Sequence, residues 1–567
     1  MATYHINPAA LVNGTGTAAS PFNTWASVPT SGVHTYLQMV GTKWAGAFPN
    51  LTGGTASNKT VIGAYANADG SDNPALPAPV IDIGDRMLPG TLASPKSGIK
   101  FGRVIIKNDR AAVTSDTPMM WLGDNVEFEG TELETNLTAL YGENRTGLKI
   151  RGLKITAAKA VSAIAAMNAL VLAGSVALTG HDIQGLDVLI GDGGPSNAHA
   201  IKIGGSVPIT DLTLKDIRVR TISGQPTTHV NKAGVFLSNA VGQTILGGTE
   251  SISTIEISNV DVEDLVDGVF TSSVSNAWIH HNKLNLNNSF GLHSTGTAAN
   301  PTARNVIEWN ICRRNGRNVA PWYGRGIEVS GGGAQHACTG HIIRFNDCSY
   351  NYNWGGPGDN GTEGVGIGLD DAASFCFVYG NFCFQNEGQG LQTYGGFAPP
   401  ADTGGNLITG NWFIENGTAA IWNRRSGGTV RTGGACNVSL SGTKGSRTTF
   451  SYNLVIGSFG GVRMAADCSN VSRYGNVFIG QESYAHAAPN MTGIEREIYA
   501  PGIPRNIGTL ALNGSNSPAP ALLSAGSPTC QTIDPMLDTD RYLPLAGSPL
   551  LSRAVPWTTV PYRVTNA

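Results

Sequence analysis

Residues 366–371 read Gly-Ile-Gly-Leu-Asp-Asp, and the adjacent carboxylates of Asp370 and Asp371 raise the first chemical question. Two like charges on neighbouring residues repel each other unless solvent, a cation or a reaction makes use of them. A third carboxylate, Glu328, stands in a segment of the same form, Gly-Ile-Glu-Val-Ser at 326–330. Two carboxyl groups flanking a bond are the minimal equipment for glycoside hydrolysis. One protonates the leaving oxygen, and the other activates water or attacks the sugar. Glu328 and Asp370 are the expected acid–base pair, with Asp371 third, either joining them or capping a turn.

Such residues need a surface that holds them in register. The segments 268–272, 291–295, 326–330, 366–370, 390–394, 420–424 and 461–465 share a short apolar pattern that predicts one strand each. Alternation with period two sends Ile327, Val329, Ile367, Leu369, Leu391 and Thr393 inward. The opposite face then carries His293, Glu328, Ser330, Gly368, Asp370, Gln392, Tyr394, Trp422, Arg424 and Arg463. If Glu328 and Asp370 sit on adjacent strands, offset by two positions, their Cα atoms are about 8 Å apart. Long loops flank this column, and one of them contributes Glu363. A flat sheet walled by loops is a groove. Its mixture of carboxylates, Arg, Gln, His and aromatics suits sugars, whereas a small-molecule pocket is mainly apolar. His293, Glu363, Gln392, Tyr394, Trp422, Arg424 and Arg463 are the expected substrate-binding set. No metal or cofactor is expected.

A repeat supplies the strands. Asn282, Asn310, Asn346, Asn381, Asn411, Asn453 and Asn476 each follow a short apolar stretch and precede another. Variable spacing around a fixed core means one coil per repeat, with insertions at one place. Asn tolerates the left-handed backbone, and its amide can bond along a stack, so one Asn is expected at each bend. Two positions further on come Leu284, Cys312, Cys348, Cys383, Phe413, Val455 and Phe478, an expected interior column in which the thiols act as small hydrophobes.

Composition agrees. The 567 residues include 74 Gly and only 14% charged residues, which favours many short strands joined by tight turns. A net charge of −3 with no basic run argues against a nucleic-acid partner. The opening MATYHINPAA has neither the basic start nor the apolar core of an export signal. The uncharged stretch 160–179 is broken by Ser, Asn and Gly, and is read as buried structure rather than a membrane insertion.

With these elements in place, the chain resembles right-handed parallel β-helix proteins of the carbohydrate-active kind, which include pectate-lyase-like and polygalacturonase-like enzymes and phage tailspike depolymerases. The residues carrying the resemblance are the Asn-cornered coils, the Gly-Ile strand before the loop, a cap-like 14–28 with 36–44 and 61–65, and a closing segment at 534–554. The Asp-Asp pair is similar to that of polygalacturonase-like hydrolases, whose NTD, GHG and RIK signatures the chain lacks. The resemblance implies an all-β, right-handed, single-stranded parallel β-helix. It divides into an N-terminal cap with first coils (1–85), a helix bearing the groove (86–490) and a C-terminal closing segment (491–567). It further implies a tailspike-type depolymerase that hydrolyses a bacterial surface polysaccharide such as capsule or O-antigen. Such a protein would be a homotrimer in a virion beside other phage tail components. A lyase acting on uronic acids, with His293 or Tyr394 as base, a secreted enzyme and a non-catalytic glycan-binding fibre are the alternatives.

Overall fold

The computed structural model describes residues 1–500, apart from 110–116, 158–167, 192–198, 223–232, 318–323, 332–336, 353–363, 396–402, 418–435, 442–447, 465–470, 484–493 and some shorter stretches, and also 531–532. The closing segment therefore lies almost wholly outside the described residues. The described chain is all-β. Its one helical element among the described residues is a 3-10 turn at Trp25–Ser27. Chain contacts divide it into Met1–Val266 and Asp267–Ala567.

In the first unit, Thr3–Ile6, Thr35–Met39, Thr60–Tyr65 and Ile99–Phe101 pair in parallel, one after another. Trp25, fully buried, donates from Nε1 to Gln38 Oε1 at 2.7 Å and packs on Phe48, which accounts for the cap-like sequence around it. Further along, Leu153, Leu186, Ile217 and Val260 stand opposite one another on successive strands, all buried. The outer faces of these strands carry cross-strand ion pairs such as Lys154–Glu132 and Arg220–Asp261. Leu170–Gly174, from the uncharged stretch, is a strand with a buried start. No helix among the described residues is long and apolar enough to cross a membrane.

The described residues of the second unit form parallel β-helix coils. Val306–Glu308, Ile342–Arg344, Phe377–Tyr379, Leu407–Thr409 and Thr448–Ser451 form one ladder. Asp347–Ser349, Phe382–Phe384, Trp412–Ile414, Leu454–Gly460 and Val477–Ser483 form a second. The third contains Asp267–Ser275, Phe290–Thr295, Arg325–Ser330, Val365–Asp370, Leu391–Tyr394, Val438–Leu440 and Val462–Met464. The expected interior column of Leu284, Cys312, Cys348, Cys383, Phe413, Val455 and Phe478 is fully buried, and its cysteines are free thiols.

The asparagines stack as expected, for a different backbone reason. Asn346 donates from Nδ2 to Asn381 Oδ1 at 2.9 Å, and the same bond recurs from Asn282 through to Asn476. The left-handed position belongs to the residue before each Asn: His281, Trp309, Phe345, Gly380, Gly410, Tyr452 and Gly475 have φ between 53° and 66°. That turn aims the following amide along the stack and into the coil. A second ladder, not legible in the repeat, runs through Asn287, Asn315, Asn351, Asn386, Asn416 and Asn437 at the next corner.

One correction concerns the groove column. The place beside Leu391–Tyr394 that the sequence pattern gives to 420–424 is taken by Val438–Leu440, which pairs with it directly. The alternating apolar pattern recurs in Asn-Val-Ser-Leu at 437–440, and the Asn416–Asn437 bond fixes that segment in the stack. Trp422 and Arg424 lie outside the described residues.

Candidate active site

The third ladder builds the site. Gly268, Gly291, Gly326, Gly366 and Gly390, at the start of five of its strands, are forced by crowding. A Cβ on Gly326 would lie 2.6 Å from the Gly366 carbonyl oxygen, 2.9 Å from the Asn351 amide nitrogen and 3.0 Å from Cys348 Cβ. Glycine therefore lets the strand lie against the second asparagine ladder and the cysteine column. The expected inward residues Ile327, Val329, Ile367, Leu369, Leu391 and Thr393 are all fully buried.

On the opposite side, register lines up Phe270, His293, Glu328, Gly368, Gln392, Ser439 and Arg463 across the strands. A parallel row two residues on holds Ser272, Thr295, Ser330, Asp370 and Tyr394. Glu328 faces Gly368 and Ser330 faces Asp370, so the two carboxylates occupy adjacent strands with the expected two-position offset. These outward groups are nevertheless covered: Glu328 is 4% exposed, and Asp370 and Gln392 are each 8% exposed.

Arg325 bridges the two carboxylates, and sequence reasoning missed it. Alternation from Ile327 and Val329 places Arg325 among the inward residues. It is 3% exposed, yet its Nη1 donates to Glu328 Oε2 and to Asp370 Oδ2, both at 2.5 Å. Two such contacts to one nitrogen hold those oxygens within about 5 Å of each other, at or below the spacing of about 5–5.5 Å between carboxyl groups in retaining glycosidases. Gly368 makes the room, because a Cβ there would overlap both Glu328 Oε2 and Arg325 Nη1. A glycine between two acidic positions on neighbouring strands was the available signal.

Asp371 follows at the strand end, with φ 46°, and its backbone N–H donates to Tyr394 O at 3.0 Å. It is the turn residue the sequence pointed to. Its carboxyl is pushed above the usual range, first by burial and then by the Asp370 charge, with Arg325 opposing. The Oδ1 atoms of Asp370 and Asp371 and Oε1 of Gln392 are buried without a hydrogen-bond partner. Three unsatisfied acceptors within one patch leave hydrogen-bonding capacity that a hydroxyl-rich ligand can fill.

His293 stacks on Phe270, with centroids 4.7 Å apart, and tilts against Phe290 at 4.5 Å. Burial, aided by the nearby Arg325 charge, drops its pKa to about 3, so it is neutral and weakly basic here. Tyr394, at 36% exposure, is the open edge of the row. The Arg463 backbone falls in the row beside Ser439. Glu363 lies outside the described residues. The structure thus brings together Glu328, Asp370, Asp371, His293, Gln392 and Tyr394, and adds Arg325.

Fold and site define an all-β, parallel β-helix protein with an arginine-bridged acidic cluster on one sheet. No protein-family model and no curated protein matches the chain. Solved structures that it is similar to include the A-module of the Azotobacter vinelandii mannuronan C-5 epimerase AlgE6 (13% identity, 88% of this chain, 100% of that chain, TM-score 0.30). Others are the Dettilon tailspike protein (15%, 74%, 62%, 0.29) and a rhamnogalacturonan lyase (13%, 80%, 87%, 0.28). At identities this low, any statement of function rests on the site itself.

Proposed function

We propose that the protein is a tailspike-type depolymerase that hydrolyses glycosidic bonds within a bacterial surface polysaccharide, capsule or O-antigen. The observation carrying this reading is the convergence of Glu328, Asp370 and Asp371 with Gln392 on one sheet face, with acceptors left unpaired in a buried patch. Carboxyl groups supply the proton and the base or nucleophile for glycoside cleavage, and a row of polar groups along a sheet can take sugars at successive positions. Endo cleavage follows from a row that runs across many strands. His293, Tyr394, Trp422, Arg424, Arg463 and Glu363 complete the proposed substrate-binding set. Arg325, the cation that the described residues place on the carboxylates, is already engaged by them, and His293 is a weak base, so hydrolysis fits the described residues better than uronate elimination.

The proposed assembly is a homotrimer on a phage tail, where threefold association multiplies grip on a repetitive glycan. Light scattering that gives the mass of one chain would overturn the trimer. Incubation with a panel of capsule and lipopolysaccharide preparations, followed by mass spectrometry, tests the activity. Saturated oligosaccharides with one added water per cut support hydrolysis. Ultraviolet-absorbing unsaturated ends assign a lyase, and uncut but retained polysaccharide assigns a binding fibre.

A further inference from the structure

The row of carboxylates is not three equivalent acids. Glu328 and Asp370 each give an oxygen to the same Arg325 nitrogen at 2.5 Å, and all three residues are buried. They form one ion-paired unit, too closely drawn together for a water molecule and a sugar to pass between those two oxygens. An inverting pair stands about 6.5–9.5 Å apart to leave that space. Asp371 is outside this unit. Its charge has Asp370 as neighbour, its Oδ1 has no partner, and no ion pair to it is formed among the described residues.

We propose that Asp371 is the carboxyl that holds the site's proton and delivers it to the leaving oxygen, and that Arg325 is the positioning residue that ties Glu328 and Asp370 into an anionic base. This deepens the hydrolase reading and rests on it for the catalytic step. In that step the Asp371 proton passes to the glycosidic oxygen as the bond from that oxygen to the anomeric carbon breaks, and the bonding pair stays on the oxygen. Water adds to the anomeric carbon, and its proton goes to a carboxylate of the Arg325-held pair. One water is consumed, Asp371 is left ionised, and a proton exchange between the carboxyls through solvent resets the site.

The groups that face Asp371 are consistent with this division of roles. Burial and then the Asp370 charge raise its pKa above the ordinary aspartate value, with Arg325 opposing. Glu328 is engaged by Arg325, His293 is neutral between its aromatic neighbours, and Tyr394 contributes its backbone oxygen at this point. Gln392, 8% exposed with a free Oε1, stands on the strand next to Asp370 as an acceptor for a sugar hydroxyl.

The test separates proton ownership from catalysis. Carbon-13 NMR of the full chain, labelled at the Asp side-chain carboxyls, is followed through a pH titration in wild type, Asp371→Asn and Asp267→Asn, the last to assign the other raised aspartate. The expected result is a carboxyl titrating above the ordinary range that disappears only in Asp371→Asn. Asn tolerates the left-handed backbone of this position, so the fold is retained. In Arg325→Lys the Asp371 signal should persist.

On a cleaved polysaccharide, Asp371→Asn should lower kcat about 100-fold or more with little change in KM, and remove the alkaline limb of the kcat profile. An ordinary titration of Asp371, or an alkaline limb that survives in Asp371→Asn and vanishes in Glu328→Gln, overturns the proposal. A wild-type protein that cuts no polysaccharide refutes the hydrolase reading and the catalytic half of this one, and the titration still decides which carboxyl holds the proton.

Discussion

Replacing Asn346 distinguishes two reasons for an asparagine at a coil corner. Its Oδ1 accepts from Asn310 N at 3.0 Å and Asn310 Nδ2 at 2.9 Å, and its Nδ2 donates to Asn381 Oδ1 and Ile307 O, both at 2.9 Å. Asn346→Ala deletes all four and leaves the Asn310 N–H without its acceptor in a buried place. The orphaned buried donor costs about 1–3 kcal/mol, and each of the other three lost bonds about 1 kcal/mol, which gives a loss of roughly 4–6 kcal/mol. Were the left-handed backbone the reason for Asn, Asn346→Gly would be harmless. The left-handed residue is Phe345, at φ 56°, so Gly at 346 should be worse than Ala by up to about 1 kcal/mol of chain entropy. Phe345→Gly should be close to neutral. It relieves about 1–2 kcal/mol of left-handed strain and gives up about 0.5–1.5 kcal/mol of stacking on Trp309. Urea unfolding midpoints of the three variants, with circular dichroism as readout, provide the comparison. Wild-type stability in Asn346→Gly alongside a destabilised Asn346→Ala would refute the reasoning.

Further tests follow from buried titratable groups and from the void at the site. Asp267 is 6% exposed, accepts from Phe290 N at 3.2 Å, and burial lifts its pKa from 3.8 to about 7. A raised acid loses stability as pH rises from the unfolded value to the folded one, so Asp267→Asn should gain up to about 4 kcal/mol at pH 8 and little at pH 3, read from unfolding curves at both. His341 is fully buried, accepts from Asn305 N through Nδ1 at 3.2 Å, and burial holds its pKa at about 4. Its native form stays neutral while the unfolded chain takes up protons, so up to about 3 kcal/mol of stability disappears between pH 6.5 and 4, and His341→Asn should abolish that part of the acid sensitivity. Asn305 and Asn406 already make the same bond at this corner of other coils. Gly368→Ala should displace Arg325, cost about 1–3 kcal/mol by overpacking and remove cleavage, whereas a fully active Gly368→Ala protein would show that the bridge is dispensable.

How far the sequence was legible depended on whether a feature is periodic. The asparagine column, the buried Leu284-to-Phe478 column and the alternating strands repeat from coil to coil, and each repetition reinforces the pattern. The offset of Glu328 and Asp370 was readable for the same reason, since register follows from aligned repeats. The second asparagine ladder was not recognised because its members stand in segments of differing composition, such as Asn287-Asn-Ser and Asn386-Glu-Gly. Trp422 and Arg424 were assigned to the column by local pattern alone, and the actual partner, Val438–Leu440, is fixed by the Asn416–Asn437 bond that the pattern did not contain. Arg325 was hidden by alternation itself. A long side chain starting on the inward side can still deliver its guanidinium to the outer face where a neighbouring residue has no Cβ.

Glycine therefore serves two separate purposes on these strands, and the difference locates the chemistry. Gly291, Gly326, Gly366 and Gly390 occur at the same point of successive coils, and a side chain there would strike the asparagine ladder and, at the first three, the next coil's backbone. Those glycines let coils stack, so a change at any one of them is paid for in folding wherever in the stack it occurs. Gly368 belongs to no such column. Its counterparts in register are His293, Glu328, Gln392 and Ser439, and what fills its missing side chain is the Arg325–Glu328 contact. A coil that needed only to stack would have no use for a gap on its outer face. The gap, the buried arginine that enters it and the two carboxylates that meet there are mutually dependent, and they single out this coil pair from an otherwise repetitive surface.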